Sequence, residues 1–197
     1  MSSPRTARVK RKTTETDIDL SLTLDGAGLC RGKTGIGFFD HMLTTFARHA
    51  LFDLQLTCSG DLEVDAHHTV EDIGICAGQA LAQALGDKAG ITRFGQSYVP
   101  MDETLARAVV DVSGRPYLVY DVTLSEETVG AFPAALAQEF FRALADHAMI
   151  NLHVDLVRGS NAHHEVEAIF KAVARALRSA VRRDPEVSGI PSTKGVL

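Results

Sequence analysis

The chain is poor in several things, and each shortage excludes something. It holds three cysteines in 197 residues, Cys30, Cys58 and Cys76. The number is odd and no CxxC spacing occurs, which argues against a disulfide framework and for a reducing, cytoplasmic setting. No apolar run approaches the ~18 residues that a membrane span requires. Positive charge is not in excess: the net charge is −5 at pH 7, which argues against a general nucleic-acid binder. Neither nucleic acid nor membrane is therefore expected as a partner. The basic residues Arg5, Arg8, Lys10, Arg11 and Lys12 have no apolar segment behind them, so no secretory signal is expected. They read as a solvated, flexible tail over residues 1–12. No Pro-, Ser- or Gly-rich linker interrupts the remainder, which is expected to be one domain over 13–197.

What is present is ordinary globular material, 45% hydrophobic and 23% charged. A chain of this length buries roughly 70% of its unfolded surface and needs neither metal nor disulfide merely to fold. Its informative feature is an internal duplication. FARHALFDLQL (46–56) lies over LADHAMINLHV (144–154), matching His49 to His147, Ala50 to Ala148 and Leu54 to Leu152. With a two-residue gap, DAHHTVE (65–71) lies over NAHHEVE (161–167), and the match persists to Ala84 and Ala180.

Alternating Ile18, Leu20, Leu22 and Leu24 predict a half-buried strand. A helix is expected from Phe38 to about His49, a strand over 52–58, and a helix past the first histidine pair that stops at Gly86. The second half predicts strands over 107–112 and 117–124, a helix from about Ala134 to His147, a strand over 152–158 and a last helix from Glu165 to about Arg182. The expected fold is α/β, in two layers of sheet packed against helices, with pseudo-twofold halves at about 13–90 and 91–185 and a tail at 186–197.

Six of the eight histidines fall into matched pairs across this repeat. In HHxxE at the start of a helix, residues four apart share a face, so His67 and Glu71 can converge on one ion, as can His163 and Glu167. His68 and His164 lie about 100° around the axis and must address a different ion or partner. Imidazole with carboxylate suits Mn, Fe, Co or Zn, and the doubled motif points to two ions. The repeat also places His41 opposite Glu139, so if His41 completes one ion, Glu139 should complete the other. His49 and His147 are open between core hydrogen bonding and substrate contact, and unpartnered His153 reads as structural. Taken alone, paired ions held by His and Glu would also suit hydrolysis of a phosphate ester, or a metal-glued assembly without catalysis.

GIGFFDHMLTTFARH, the DAHHTVED and NAHHEVEA pair, GRPYLVY and the tail SGIPSTKGVL together closely resemble imidazoleglycerol-phosphate dehydratases, from about Arg8 to the C-terminus. The resemblance implies dehydration of imidazole glycerol phosphate to imidazole acetol phosphate in histidine biosynthesis. It implies a duplicated fold like a ribosomal-protein S5 domain, and a shell of 24 subunits with inter-subunit active sites, each holding two Mn(II). It implies His41, His67, His68, Glu71, Glu139, His163, His164 and Glu167 as metal ligands, with Glu139 standing where the commoner family pattern has histidine. Substrate contacts implied are Glu15, His41, His49, Arg93, Arg115, Lys171, Ser192, Thr193 and Lys194. Glu15 is the candidate acid/base, and Glu71 and Glu167 can handle protons only if coordination leaves an oxygen free. Asp102, in the MDET turn, is a weaker candidate.

Overall fold

A computed structural model describes residues 4–197 of the chain. In chain order its elements are β1 (Thr6–Lys12), β2 (Thr16–Thr23), β3 (Cys30–Arg31), α1 (Gly37–Ala50), β4 (Asp53–Gly60) and α2 (His67–Leu85), followed by β5 (Phe94–Met101), β6 (Thr104–Asp111), β7 (Tyr117–Asp121), the short β8 (Thr128–Val129) and β9 (Phe132–Pro133), α3 (Leu136–Ala148), β10 (Asn151–Arg158) and α4 (Ala162–Val181). One four-stranded sheet has the order β1-β2-β4-β3 and the other β5-β6-β10-β7, and β8 and β9 form a separate two-stranded ribbon. Each four-stranded sheet is two antiparallel pairings followed by one parallel pairing at the edge.

The duplication extends further than the sequence identities do. Leu54 faces Leu22 across one sheet, and its match Leu152 faces Val110 across the other. Leu20 pairs in turn with Val9, and Ala108 with Ser97. The hairpin β1–β2 is thus the counterpart of β5–β6, although the two share almost no residues.

This corrects the expected tail. Residues 6–12 are a paired strand, so the first half begins at β1 and not at residue 13. The side chains of Arg8, Lys10 and Lys12 stay exposed, but their backbone is laddered to β2 and their charges have partners there. Arg8 reaches Asp19 at 2.6 Å and Lys12 reaches Asp17 at 2.7 Å across the hairpin. On the other face Val9 enters the core, and Arg11 Nε donates to the buried Asp72 at 2.8 Å. Arg5 pairs with Asp25 and donates to the carbonyl of Val181. Strand β5 is absent from the expectations above because Gln96, Ser97, Tyr98 and Pro100 break its apolar alternation.

The four helices keep close to their expected limits. Both α1 and α3 end on a residue in the left-handed region, Leu51 at φ 55° and Met149 at φ 56°. In each case the next amide, of Phe52 or Ile150, donates back to the carbonyl of Ala47 or Ala145 and turns the chain into the following strand. Packing then crosses the repeat: α1 lies on α4 and α2 lies on α3, while α2 covers β1 and β2 and α4 covers β5 and β6. Gly74 and Gly78 let α2 and α3 approach closely, because a Cβ at Gly74 would meet the Phe140 carbonyl oxygen at 2.7 Å and one at Gly78 that of Leu144 at 2.7 Å.

A continuous apolar core results, drawn from both sheets and all four helices. At its centre Phe140 contacts Phe39, Phe46, Phe141 and Phe170, with ring centroids 5.2–6.4 Å apart. Those rings come from α1, α3 and α4, so Phe140 joins the two halves. Phe140→Ala is expected to destabilise the protein by about 3–5 kcal/mol, read as a lower midpoint in denaturant unfolding.

Candidate functional site

The two histidine doublets sit on first helical turns, fixed by matched residues two positions ahead of them. Asp65 Oδ1 accepts the backbone N–H of His67 at 2.7 Å, and Asn161 Oδ1 accepts those of His163 and His164 at 3.0 and 3.3 Å. Such caps satisfy amide donors that would otherwise be unpaired. The rings within each doublet then diverge identically, 6.1 Å apart at 89° for His67–His68 and 6.2 Å at 89° for His163–His164. The two rings of each doublet thus point to different sides of the helix head, as the 100° rotation requires.

Crossing of the helices brings His41 of α1 to the head of α4. His41 Nε2 and His163 Nε2 each lie 3.1 Å from Glu167 Oε2. Among the described residues this is one of two groups whose metal-ligand atoms all lie within 4.8 Å of one another. Lys171 Nζ donates to the other Glu167 oxygen at 2.7 Å. Burial works to raise the Glu167 carboxyl, but the Lys171 and His41 hydrogen bonds outweigh it and leave the group below the usual carboxylate range. The edge of Phe38 packs on His163 at 5.2 Å, and a cleft of about 750 Å³ opens beside it, lined by Gly35, Ala131, Phe132 and Pro133 among others.

The second group is Asp102, Glu103 and His164. Glu103 Oε2 lies 3.0 Å from His164 Nδ1, which pulls its carboxyl down to about 2. His68 is held alike: Asp61 Oδ2 lies 3.0 Å from its Nδ1 and raises the imidazole above its ordinary value, while Glu15 Oε1 stands 3.8 Å from its Nε2. Neither Asp61 nor Glu103 was expected at the site. For Glu103 a signal existed, since Glu103-Thr104 repeats Glu15-Thr16 at the matched hairpin turn. For Asp61 none did.

The remaining expected residues divide. His67, Glu71 and Glu139 are not drawn into a comparable group among the described residues, and Glu139 lies 3.7 Å from Arg142 instead. Arg93 is engaged within the chain, donating to Asp111 at 2.7 and 3.2 Å and to the Pro191 carbonyl at 2.9 Å. It thereby anchors the C-terminal tail, on which Thr193 and Lys194 are exposed. The tail ends against Gly114, next to the exposed Arg115. Glu15 is half exposed at the β1–β2 turn, and the imidazole of His153 is exposed on β10.

Along α4 the residues His163, Glu167, Lys171 and Arg175 succeed each other at four-residue steps, one face of the helix. Their counterparts on α2 are His67, Glu71, Ile75 and Gln79. Both helices keep the imidazole and carboxylate, but only α4 continues into cations. His49, in the last turn of α1, lies near these cations. Burial, then Lys171 and Arg175, push its imidazole below the ordinary value.

These features define a class, a duplicated α/β protein that sets imidazole and carboxylate donors at the heads of matched helices. The family model for imidazoleglycerol-phosphate dehydratase matches residues 34–177. The chain is 60% identical over 193 residues to the imidazoleglycerol-phosphate dehydratase of Pelobacter propionicus, covering 98% of this chain and 99% of the relative. It is 59% identical over 194 residues to that of Heliobacterium modesticaldum, covering 98% and 100%. Among solved structures, the Staphylococcus aureus enzyme superposes with a TM-score of 0.83 at 45% identity, over 91% of this chain and 99% of that one. The Pyrococcus furiosus enzyme, in complex with (S)-C348, gives 0.83 at 38%, over 96% and 100%. The chain belongs to the imidazoleglycerol-phosphate dehydratase family. Its activity is that of a hydro-lyase of histidine biosynthesis, which sets aside hydrolysis of a phosphate ester.

The His49 environment gives a pH dependence. Its folded value lies below that of the unfolded chain, so on acidification below about 6.5 the unfolded chain takes up a proton first. Stability at this residue is complete above that pH and falls as the pH drops toward the folded value. Lys171→Met is expected to move the His49 titration upward, part of the way to the ordinary value, as followed by histidine NMR.

Proposed function

We propose that this dehydratase works on its phosphorylated imidazole substrate with two Mn(II) ions per active site, at sites formed between subunits of a cytoplasmic shell of 24 copies. The observation that carries the metal reading is the convergence of His41 Nε2 and His163 Nε2 on one oxygen of Glu167. Two imidazole nitrogens and a carboxylate oxygen aimed at a common point suit a divalent cation with nitrogen and oxygen preference. His41, His163 and Glu167 would hold one ion from within a chain. His68 and His164, rotated away from their doublet neighbours, would supply donors to ions shared with neighbouring copies, as would His67, Glu71 and Glu139. When bound, such an ion supplies Lewis-acid polarisation of the substrate ring.

The chain's own residues account for the rest. Lys171 lies one helical turn, about 6 Å, beyond Glu167. It would meet the negative end of a substrate whose ring lies at the head of α4, with His49 beside it. Arg93, Arg115, Ser192, Thr193 and Lys194 would supply further cationic and hydroxyl donors to the phosphate. The absence of cations at Ile75 and Gln79 supports this polarity, because the repeat retains the ring-end donors there without the phosphate end. Elimination breaks one C–H and one C–O bond and releases water. The proton taken from carbon can be the one delivered to the departing hydroxyl, so one carboxylate near the glycerol carbons can serve both steps. Glu15 is that carboxylate in this reading, and Glu71 and Glu167 take part only through an oxygen not engaged by the ion.

His163→Ala should lose bound Mn and abolish turnover, measured by metal analysis alongside formation of imidazole acetol phosphate. Full activity in that variant, or in wild-type protein stripped by chelator, would overturn the metal reading. Lys171→Ala should raise KM about 10- to 100-fold, the ~1.5–3 kcal/mol of a charge-assisted hydrogen bond, while changing kcat much less. An unchanged KM would remove Lys171 from the phosphate end.

A further inference from the structure

The second histidines of the two doublets share an arrangement that the duplication does not explain. His68 has a carboxylate at each ring nitrogen: Asp61 3.0 Å from Nδ1 and Glu15 3.8 Å from Nε2. His164 has the same pair, Glu103 3.0 Å from Nδ1 and Asp102 3.9 Å from Nε2. The close partners come from different places. Asp61 follows β4, where the matched position of the second half is Gly159. Glu103 sits in the β5–β6 turn, whose first-half counterpart is Glu15. Two unrelated residues therefore arrive at the same nitrogen of two related histidines at the same distance.

We propose that Asp61 and Glu103 are positioning residues for His68 and His164, each accepting the Nδ1–H of its imidazole and so leaving Nε2 as the nitrogen with the free lone pair. A neutral imidazole carries one N–H and one lone pair, and the partner of the N–H decides which nitrogen remains available. Nε2 is also the nitrogen that His41 and His163 turn toward Glu167, where each donates its N–H to a carboxylate oxygen. The acceptors are themselves fixed. Glu103 Oε1 accepts from Thr104 Oγ at 3.0 Å and from the Ser160 amide at 3.4 Å. The Asp61 amide donates to the Glu15 carbonyl at 3.1 Å, and its second carboxylate oxygen is buried without a partner. A hydrogen-bonded second nitrogen both orients a ligating imidazole and makes it a stronger donor.

The inference rests on the metal reading above, and the test separates the two. Mn(II) affinity is measured by titration on the full-length protein for wild type, Glu103→Ala, Glu103→Gln, Asp61→Ala and Asp61→Asn. The alanine variants should bind about 10- to 100-fold more weakly. The amide variants keep an acceptor without the charge and should stay within a few-fold of wild type. Alanine variants with wild-type affinity, or amide variants as weak as alanine, would overturn the positioning role; a wild-type protein that binds no Mn would overturn the metal reading instead. Solid-state ¹⁵N NMR of metal-free wild type at pH 8 gives an answer even where a variant fails to fold. His68 and His164 should be protonated at Nδ1 and bare at Nε2, and the reverse tautomer would overturn the proposal.

Discussion

The packing of each half's first helix against the other half's second helix is the constraint from which the rest follows. α1 lies on α4 and α2 lies on α3, so each helix has a face that is covered only when both halves are present. The same exchange puts His41 of the first half beside His163 and Glu167 of the second, more than a hundred residues away in sequence. Burial of Phe140 among rings from α1, α3 and α4 makes the exchange stable. The chemistry at the helix heads is thus held in place by the hydrophobic contact a few turns below it.

Within that frame the local rules act on both halves alike. The residue two positions ahead of each doublet, Asp65 or Asn161, accepts the first histidine's amide and starts the helix with its rings splayed at the same angle. Leu51 and Met149 end the preceding helices in the same left-handed turn. Where the halves differ, the difference lies along one helix face. The face of α4 runs from imidazole and carboxylate into Lys171 and Arg175, and that of α2 runs into Ile75 and Gln79.

Much of this was legible from the residues. Helical spacing of Val70, Ile73, Ala77 and Leu81 located α2, and the register of the repeat set His41 against Glu139 before any coordinates. What escaped was non-local or compensated. Strand β1 reads as a solvated run because its charges find Asp17, Asp19 and the buried Asp72 only once the hairpin and α2 are in place. Strand β5 carries too few apolar residues to show period two. Asp61 and Glu103 are ordinary turn residues in sequence, and only folding brings them to a histidine ring. Glu139 is the opposite case: its position was legible, and within one chain its side chain meets Arg142 rather than the imidazole of His67.

Exchanged helices also say something about how such a chain can arise. A lone half of this architecture would expose the helix faces that now meet across the repeat and could cover them by pairing with a second copy of itself. That ancestor would be a symmetric homodimer with two identical corners, each obliged to do the same work. Joining the copies in one polypeptide frees the corners from that identity, so that one can acquire a grip on a substrate's charged end while the other retains only the donors for its ring.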